Sequence, residues 1–308
     1  MGRALDETSF AAPAVLWLGD PRSTEAGLVG GKAAQLSALA ATHPVPEAFC
    51  VTTAAYAAYE RTGGVPPDVA RAAAAAYREL AARSGDDPAR GTPVAVRSSA
   101  VDEDGTGSSF AGQHDTYLNV TGEDAVLAAV AGVWRSARGE AALGYRRDRG
   151  LGDAPAAVAV LVQRLVSCDA SGVAFSVDPV ASDLGRVVIS ASWGLGESLM
   201  AGDIDPDRWV VDKASLSVIA RTVGAKQRMT ITDDAGTRQV STPTFLRQRA
   251  SLSDEDALAV AGMATGLEAR LGHPVDVEFA LADDGPVLLQ CRPVTTLAAP
   301  ADASGSPP

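Results

Sequence analysis

The stretch "VDVEFALADDGPVLLQCRPV", Val275 to Val294, reads as two apolar strands joined by a tight turn at "ADDG". Side chains on a strand alternate faces with a period of two. The first strand therefore puts Asp276, Glu278 and Ala280 on one face and Val275, Val277, Phe279 and Leu281 on the other. Strict alternation on the second strand groups Leu288, Gln290 and Arg292 against Val287, Leu289 and Cys291. With the apolar faces together, the four polar side chains fall on one surface. That surface is either an ordinary solvated face with an acid–arginine ion pair, or a site offering oxygens to a hard cation and a guanidinium to a phosphate. Lys, Thr and Ser would be more natural on a solvated face than Gln beside Arg.

Composition narrows the choice. The chain has 308 residues, 46% hydrophobic and 21% charged, enough for one large domain or two lobes. A net charge of −12 argues against a broad nucleic-acid surface but allows an anionic small molecule where basic groups converge. The three cysteines, Cys50, Cys168 and Cys291, are far apart and odd in number, as expected of reduced thiols in a cytoplasmic protein. No apolar run approaches the ~20 residues that span a bilayer, and "MGRALDETSFAAP" lacks the form of a signal peptide.

Along the chain, residues 1–13 read as a flexible leader and 299–308 as a disordered tail. "VLWLGD", "PVAVRSSA", "AAVAVLVQRLV", "SGVAFSVDP" and "RVVISASWGLGE" read as strands, the third of them central. Helices are expected after the glycines of "GLVGGKAAQ", from Thr52 or Thr53, over Asp68–Arg83, from Asp124 to about Arg149, and from a cap at Ser253 to Leu271. "VDEDGTGSSFAGQHDTY" is a long polar loop, and such loops in compact domains are often functional. Strands and helices without regular βαβ alternation indicate an α+β protein of two lobes, 14–165 and 166–298.

Two familiar phosphate motifs fail. A P-loop would need Gly where Ala26 stands and Ser or Thr where Ala33 stands, and "GLGESL" ends on Leu199 where a dinucleotide fingerprint needs Gly. Lys32 opens a helix behind two glycines, as a solvated lysine or as a cation for an anion held at that helix start. Arg97 ends an apolar strand, in an ion pair or as a phosphate fork. The loop glycines and hydroxyls, Ser109 and Gly112 among them, form either a surface loop or a lid over phosphates. His43, His114 and His273 sit in loops without catalytic neighbours.

"GGKAAQL", "VAVRSSAVDED…SSFAGQHDTYLNV", "VQRLV…SGVAFSVDP", "WGLGESLMAGDIDPDRWVV" and "VDVEFAL…LLQCRPV" occur in one order. In that order they resemble the nucleotide-binding domain of phosphoenolpyruvate synthases, pyruvate phosphate dikinases and rifampin phosphotransferases. The resemblance covers roughly Val15 to Leu297. It implies a two-lobed ATP-grasp fold with ATP in the cleft between lobes. It further implies that Lys32 and Arg97 contact the phosphates, with Ser109 and Gly112 from the covering loop. Gln163 would line the adenine cleft, and Glu197 would belong to the nucleotide pocket. Glu278 and Gln290 would hold Mg²⁺. Arg292 would grip the transferred phosphoryl group, and Asp276 shares the catalytic hairpin with it.

The sequence departs from the family's full enzymes in one large respect. Those enzymes pass the β-phosphoryl of ATP to a histidine on a swivelling carrier domain, and a further domain binds the acceptor. Neither follows "CRPVTTL", and none of the three histidines matches the carrier motif. The resemblance thus implies a partial enzyme. Either it works with a phosphohistidine carrier domain or subunit on another chain and a small-molecule acceptor bound elsewhere, or it is a domain cut from a longer enzyme, with no nucleic acid or membrane involved. Two rival functions share the fold: a nucleotide-sensing subunit without catalysis, and an ATP-grasp ligase that releases ADP.

Overall fold

The computed structural model describes residues 12–86, 91–101, 116–140, 144, 147, 157–234 and 236–295. Ser109, Gly112 and His114, most of the long polar loop, most of the leader and the tail lie outside them.

Two antiparallel sheets organise the chain. The first has strand order β1-β2-β5-β3-β4, from β1 (Val15–Trp17), β2 (Ala48–Val51), β3 (Val94–Ala100), β4 (Thr116–Val120) and β5 (Val158–Arg164). The second has order β13-β12-β6-β7-β8-β9. Its strands are β6 (Ala170–Phe175), β7 (Arg186–Trp193), β8 (Asp207–Asp212), β9 (Ser217–Thr222), β12 (Val275–Ala282) and β13 (Gly285–Pro293). A separate hairpin joins β10 (Arg228–Asp233) to β11 (Gly236–Ser241). This is the expected α+β architecture. Among the described residues no helix is long and apolar enough to cross a membrane.

The apolar run of β5 is continuous because both of its faces are covered. Val158, Val160 and Val162 face a core built with α2 (Thr53–Thr62), α3 (Pro67–Ser84) and α4 (Glu123–Ser136). Trp134 of α4 is buried there and donates its indole N–H to the Val158 carbonyl at 3.1 Å. Ala159 and Leu161 face the other way, in one cluster with Cys50 and with Ala33, Leu36 and Leu39 of α1 (Ala26–Leu39). The expected helix from Asp124 to about Arg149 is broken rather than continuous: α4 stops at Ser136, the chain turns as Gly139 N–H bonds the Ser136 carbonyl at 3.0 Å, and Glu140, Gly144 and Arg147 are helical again. Glycine costs a helix about 1 kcal/mol relative to alanine, and Gly139 stands in the break.

One face of the second sheet packs against a long helix. After the one-turn helices α5 (Glu197–Met200) and α6 (Thr244–Arg247), α7 (Asp254–Leu271) starts at a capping box between Ser253 and Asp256. Its Ala257, Val260, Ala264 and Leu267 cluster with Val275, Val277, Phe279, Ile189 and Trp209. The opposite face mixes polar side chains, Asp276, Glu278, Ser171 and Ser190, with Val173, Phe175, Val188 and Ala280.

Beside β8, an ion pair with both side chains fully buried ties four segments together. Lys226 Nζ donates to Asp207 Oδ1 at 2.5 Å and to the carbonyls of Gly224 and Arg247 at 2.9 and 3.2 Å. Asp207 also accepts the N–H groups of Gly224 and Ser251 at 2.9 and 2.6 Å. Breaking one half of a buried pair strands a charge, at a cost of about 3–5 kcal/mol. Asp207→Ala should lose about that much stability in urea unfolding. Removing the exposed Arg221–Asp254 pair should cost no more than about 1 kcal/mol. Equal losses for the two would contradict this assignment.

Candidate nucleotide site

The hairpin pairs Asp276 with Arg292, Val277 with Cys291 and Glu278 with Gln290. The four polar side chains share one face, as alternation predicts. Leu288 does not share it. The register slips between Glu278 and Phe279, so that Phe279 pairs with Leu288 and Leu289 is left over as a β-bulge. The extra residue reverses the parity of the strand. Leu288 joins Phe279 in the core, fully buried.

On the polar face, Arg292 directs both Nε and Nη2 at one oxygen of Asp276, Oδ2, each at 2.7 Å. The other oxygen, Oδ1, is buried and has no hydrogen-bond partner among the described residues. Burial raises the Asp276 carboxyl above its ordinary pKa; Arg292 opposes this and the charge of Glu278 adds to it. A carboxylate held at such cost, with one oxygen unanswered, suits a place where a cation or a donor arrives.

The first sheet supplies the opposing wall. Arg97 of β3 pairs in register with Leu161 of β5, and Ala95 with Gln163, so Arg97 and Gln163 point to the inner face. Arg97 Nη1 reaches across to Glu278 Oε2 at 3.2 Å, with the two side chains 14% and 19% exposed. This bond joins the sheets at the polar face of the hairpin. Arg97 Nε and Gln163 Nε2 are both buried without a partner among the described residues. Gln163 is 1% exposed; a buried donor left unpaired costs about 1–3 kcal/mol.

Lys32 lies in α1, which is not the plain helix behind glycines that the sequence predicts. The helix runs from Ala26 and kinks at Gly30, whose φ of 77° and ψ of 168° interrupt it. Lys32 falls in the first turn after the kink. A Cβ on Gly30 would stand 1.9 Å from the Ser99 carbonyl oxygen, so only glycine lets α1 lie this close to β3. Ser99 Oγ accepts the Ala33 N–H at 3.1 Å. The double glycine before Lys32 and the hydroxyl two residues after Arg97 are the sequence signals of this close fit.

Glu197 comes from the connection between β7 and β8. It opens α5, accepts the Thr237 hydroxyl at 3.1 Å, and lines a groove of about 1430 Å³ with Tyr117, Asn119, Asp233 and Thr237. Asn119 donates its amide to the carbonyls of Asp233 and Gly236 at 2.8 and 2.7 Å, fastening β4 to the β10–β11 hairpin.

The donor set fits Mg²⁺ with a polyphosphate better than a metal held by protein alone. Among the described residues no group of three or more His, Cys, Asp or Glu could hold a metal. Glu278 and Gln290 face each other across one strand pair. Mg²⁺ commonly takes one or two protein ligands and completes its shell with water and phosphate oxygens.

Comparison with known proteins identifies the family. The pyruvate phosphate dikinase AMP/ATP-binding domain family matches residues 61–305. A probable phosphoenolpyruvate synthase from Methanocaldococcus jannaschii is 32% identical over 92% of this chain and 27% of that protein. A rifampicin phosphotransferase from Streptomyces sviceus is 37% identical over 92% of this chain and 36% of that protein. The prodigiosin synthesizing transferase PigC of Serratia marcescens is 37% identical over 93% and 34%. The chain thus spans about a third of the length of these relatives. Among solved structures, PH1788 from Pyrococcus horikoshii overlaps 85% of this chain and 89% of that one, at 13% identity and a TM-score of 0.43. The D-alanine-D-alanine ligase from Coxiella burnetii overlaps 86% and 50%, at 13% and 0.38. Overlaps this loose carry no weight for the site. On the sequence match over most of its length, the chain belongs to the family of pyruvate phosphate dikinase AMP/ATP-binding domains.

Proposed function

We propose that this chain binds MgATP between its two sheets and transfers the β-phosphoryl group to a histidine on a separate carrier domain or subunit. One ATP, one water and the carrier imidazole give AMP, orthophosphate and a phosphohistidine. The carrier then phosphorylates pyruvate or another small molecule bound elsewhere. The observation behind this reading is the meeting of Arg97 with Glu278 across the cleft, above a face that also carries Asp276, Gln290 and Arg292.

Phosphoryl transfer asks for positioning and for neutralisation of charge more than for covalent chemistry. Arg97 and Lys32, from the first sheet and its helix, hold the polyphosphate. Arg292, aimed by Asp276, holds the phosphoryl group that moves. Gln163 offers a buried amide donor at the end of the cleft where β5 leaves the first sheet, in place for the adenine ring. Glu278 and Gln290 hold Mg²⁺, which supplies charge neutralisation at the phosphate oxygens when bound. In the free protein Arg97 balances Glu278. With nucleotide present it turns to phosphate, and the carboxylate is free for the metal.

Incubation with MgATP and a histidine carrier protein should give AMP and phosphate in equal amounts, followed by chromatography of the nucleotides. ADP as the sole nucleotide product would overturn the reading in favour of a ligase. Glu278→Gln and Arg292→Ala should each lower the transfer rate about 100-fold or more, the scale on which a preorganised charge contact acts.

Binding is separable from transfer. Saturation at about 100 times Kd adds roughly 2.7 kcal/mol to stability. For a chain of this size MgATP should therefore raise Tm by about 5 °C, and Arg97→Ala should abolish most of the shift. A melting curve indifferent to MgATP would exclude the cleft as a nucleotide site.

A further inference from the structure

Ser99 lies two residues beyond Arg97 on β3, pairs in register with Ala159, and is fully buried on the same inner face. It meets α1 on both sides of Lys32. On one side its carbonyl oxygen packs on the Gly30 backbone, where a Cβ would come within 1.9 Å. On the other its hydroxyl accepts the N–H of Ala33, the residue directly after Lys32, at 3.1 Å. The opening turn of a helix leaves N–H groups without intrahelical partners, and a side chain just before the helix ordinarily accepts one of them. Here residues 30 and 31 are glycines with no side chain to offer. A neighbouring strand supplies the acceptor instead, and that strand carries Arg97.

We propose that Ser99 is a positioning residue: it fixes the helix bearing Lys32 to the strand bearing Arg97, and so sets the spacing of the two cations on the polyphosphate of ATP. This role rests on the nucleotide reading above. Ser99 itself touches no phosphate; it acts through Lys32. A serine that only stabilised the helix would affect every nucleotide alike, whereas one that spaces the cations matters for the triphosphate and little for AMP.

The test is isothermal titration of the 308-residue chain in Mg²⁺ with α,β-methylene ATP and with AMP. Ser99→Ala should weaken the triphosphate analogue about tenfold, the scale of a lost helix cap, and leave AMP within about twofold. In a Lys32→Ala background the same substitution should cost less than about twofold more, because the two residues act as one unit. Should Ser99→Ala fail to fold, Ser99→Cys, of similar volume and a weaker acceptor, should give the same ranking to a smaller degree. Equal losses for both ligands, no loss for either, or full additivity with Lys32→Ala would overturn the role while leaving the nucleotide reading intact. Failure of the unmodified chain to bind either ligand would overturn that reading, and this role with it.

Discussion

A strand cannot put neighbours of the same parity on opposite faces without an extra residue, and the site depends on β13 doing so. Leu288 must reach the core beneath α7, while Gln290 and Arg292 must reach the cleft. Leu289, unpaired in the bulge, makes both possible. Without it, either a leucine would stand in the polar face or two polar groups would enter an apolar core. The local bend that a bulge brings falls beside the Glu278–Gln290 pair.

Around that hairpin the charges are arranged in pairs that span elements. Arg292 balances Asp276 within the second sheet, and Arg97 balances Glu278 from the first. An acidic protein, at −12, thus keeps two arginines at the hairpin, each paired with a carboxylate. The Lys226–Asp207 pair is of another kind. Fully buried and saturated by backbone groups, it joins segments and has no face toward the cleft chemistry.

Much of this was legible in the sequence. Alternation in "VDVEF" placed Asp276 and Glu278 together, since a strand with one covered face leaves a clean period of two. The unbroken apolar run of β5 announced a strand covered on both faces, and Ser253 announced α7. What escaped were features that depend on contacts distant in sequence or on one surplus residue. Nothing in "VLLQCR" marks Leu289 as the unpaired position. Gly30 looked like part of a turn, because its constraint comes from Ser99, 66 residues away from the amide it accepts. The break after α4 falls at Gly139, whose effect a run of helix-forming neighbours obscures. The resemblance to dikinase nucleotide domains supplied the roles; alternation alone left the polar face open to a solvated reading.

The unanswered atoms of the cleft have a cost when nothing is bound. Arg97 Nε, Gln163 Nε2 and Asp276 Oδ1 are shut away from water with no partner among the described residues, and each such group weighs on the fold by about 1–3 kcal/mol. An occupant with matching acceptors and donors relieves a tension already present, and its affinity includes that relief. Apolar side chains at the same three places would make a sturdier protein and a poorer receptor, so selection for durability and selection for occupancy pull in opposite directions there.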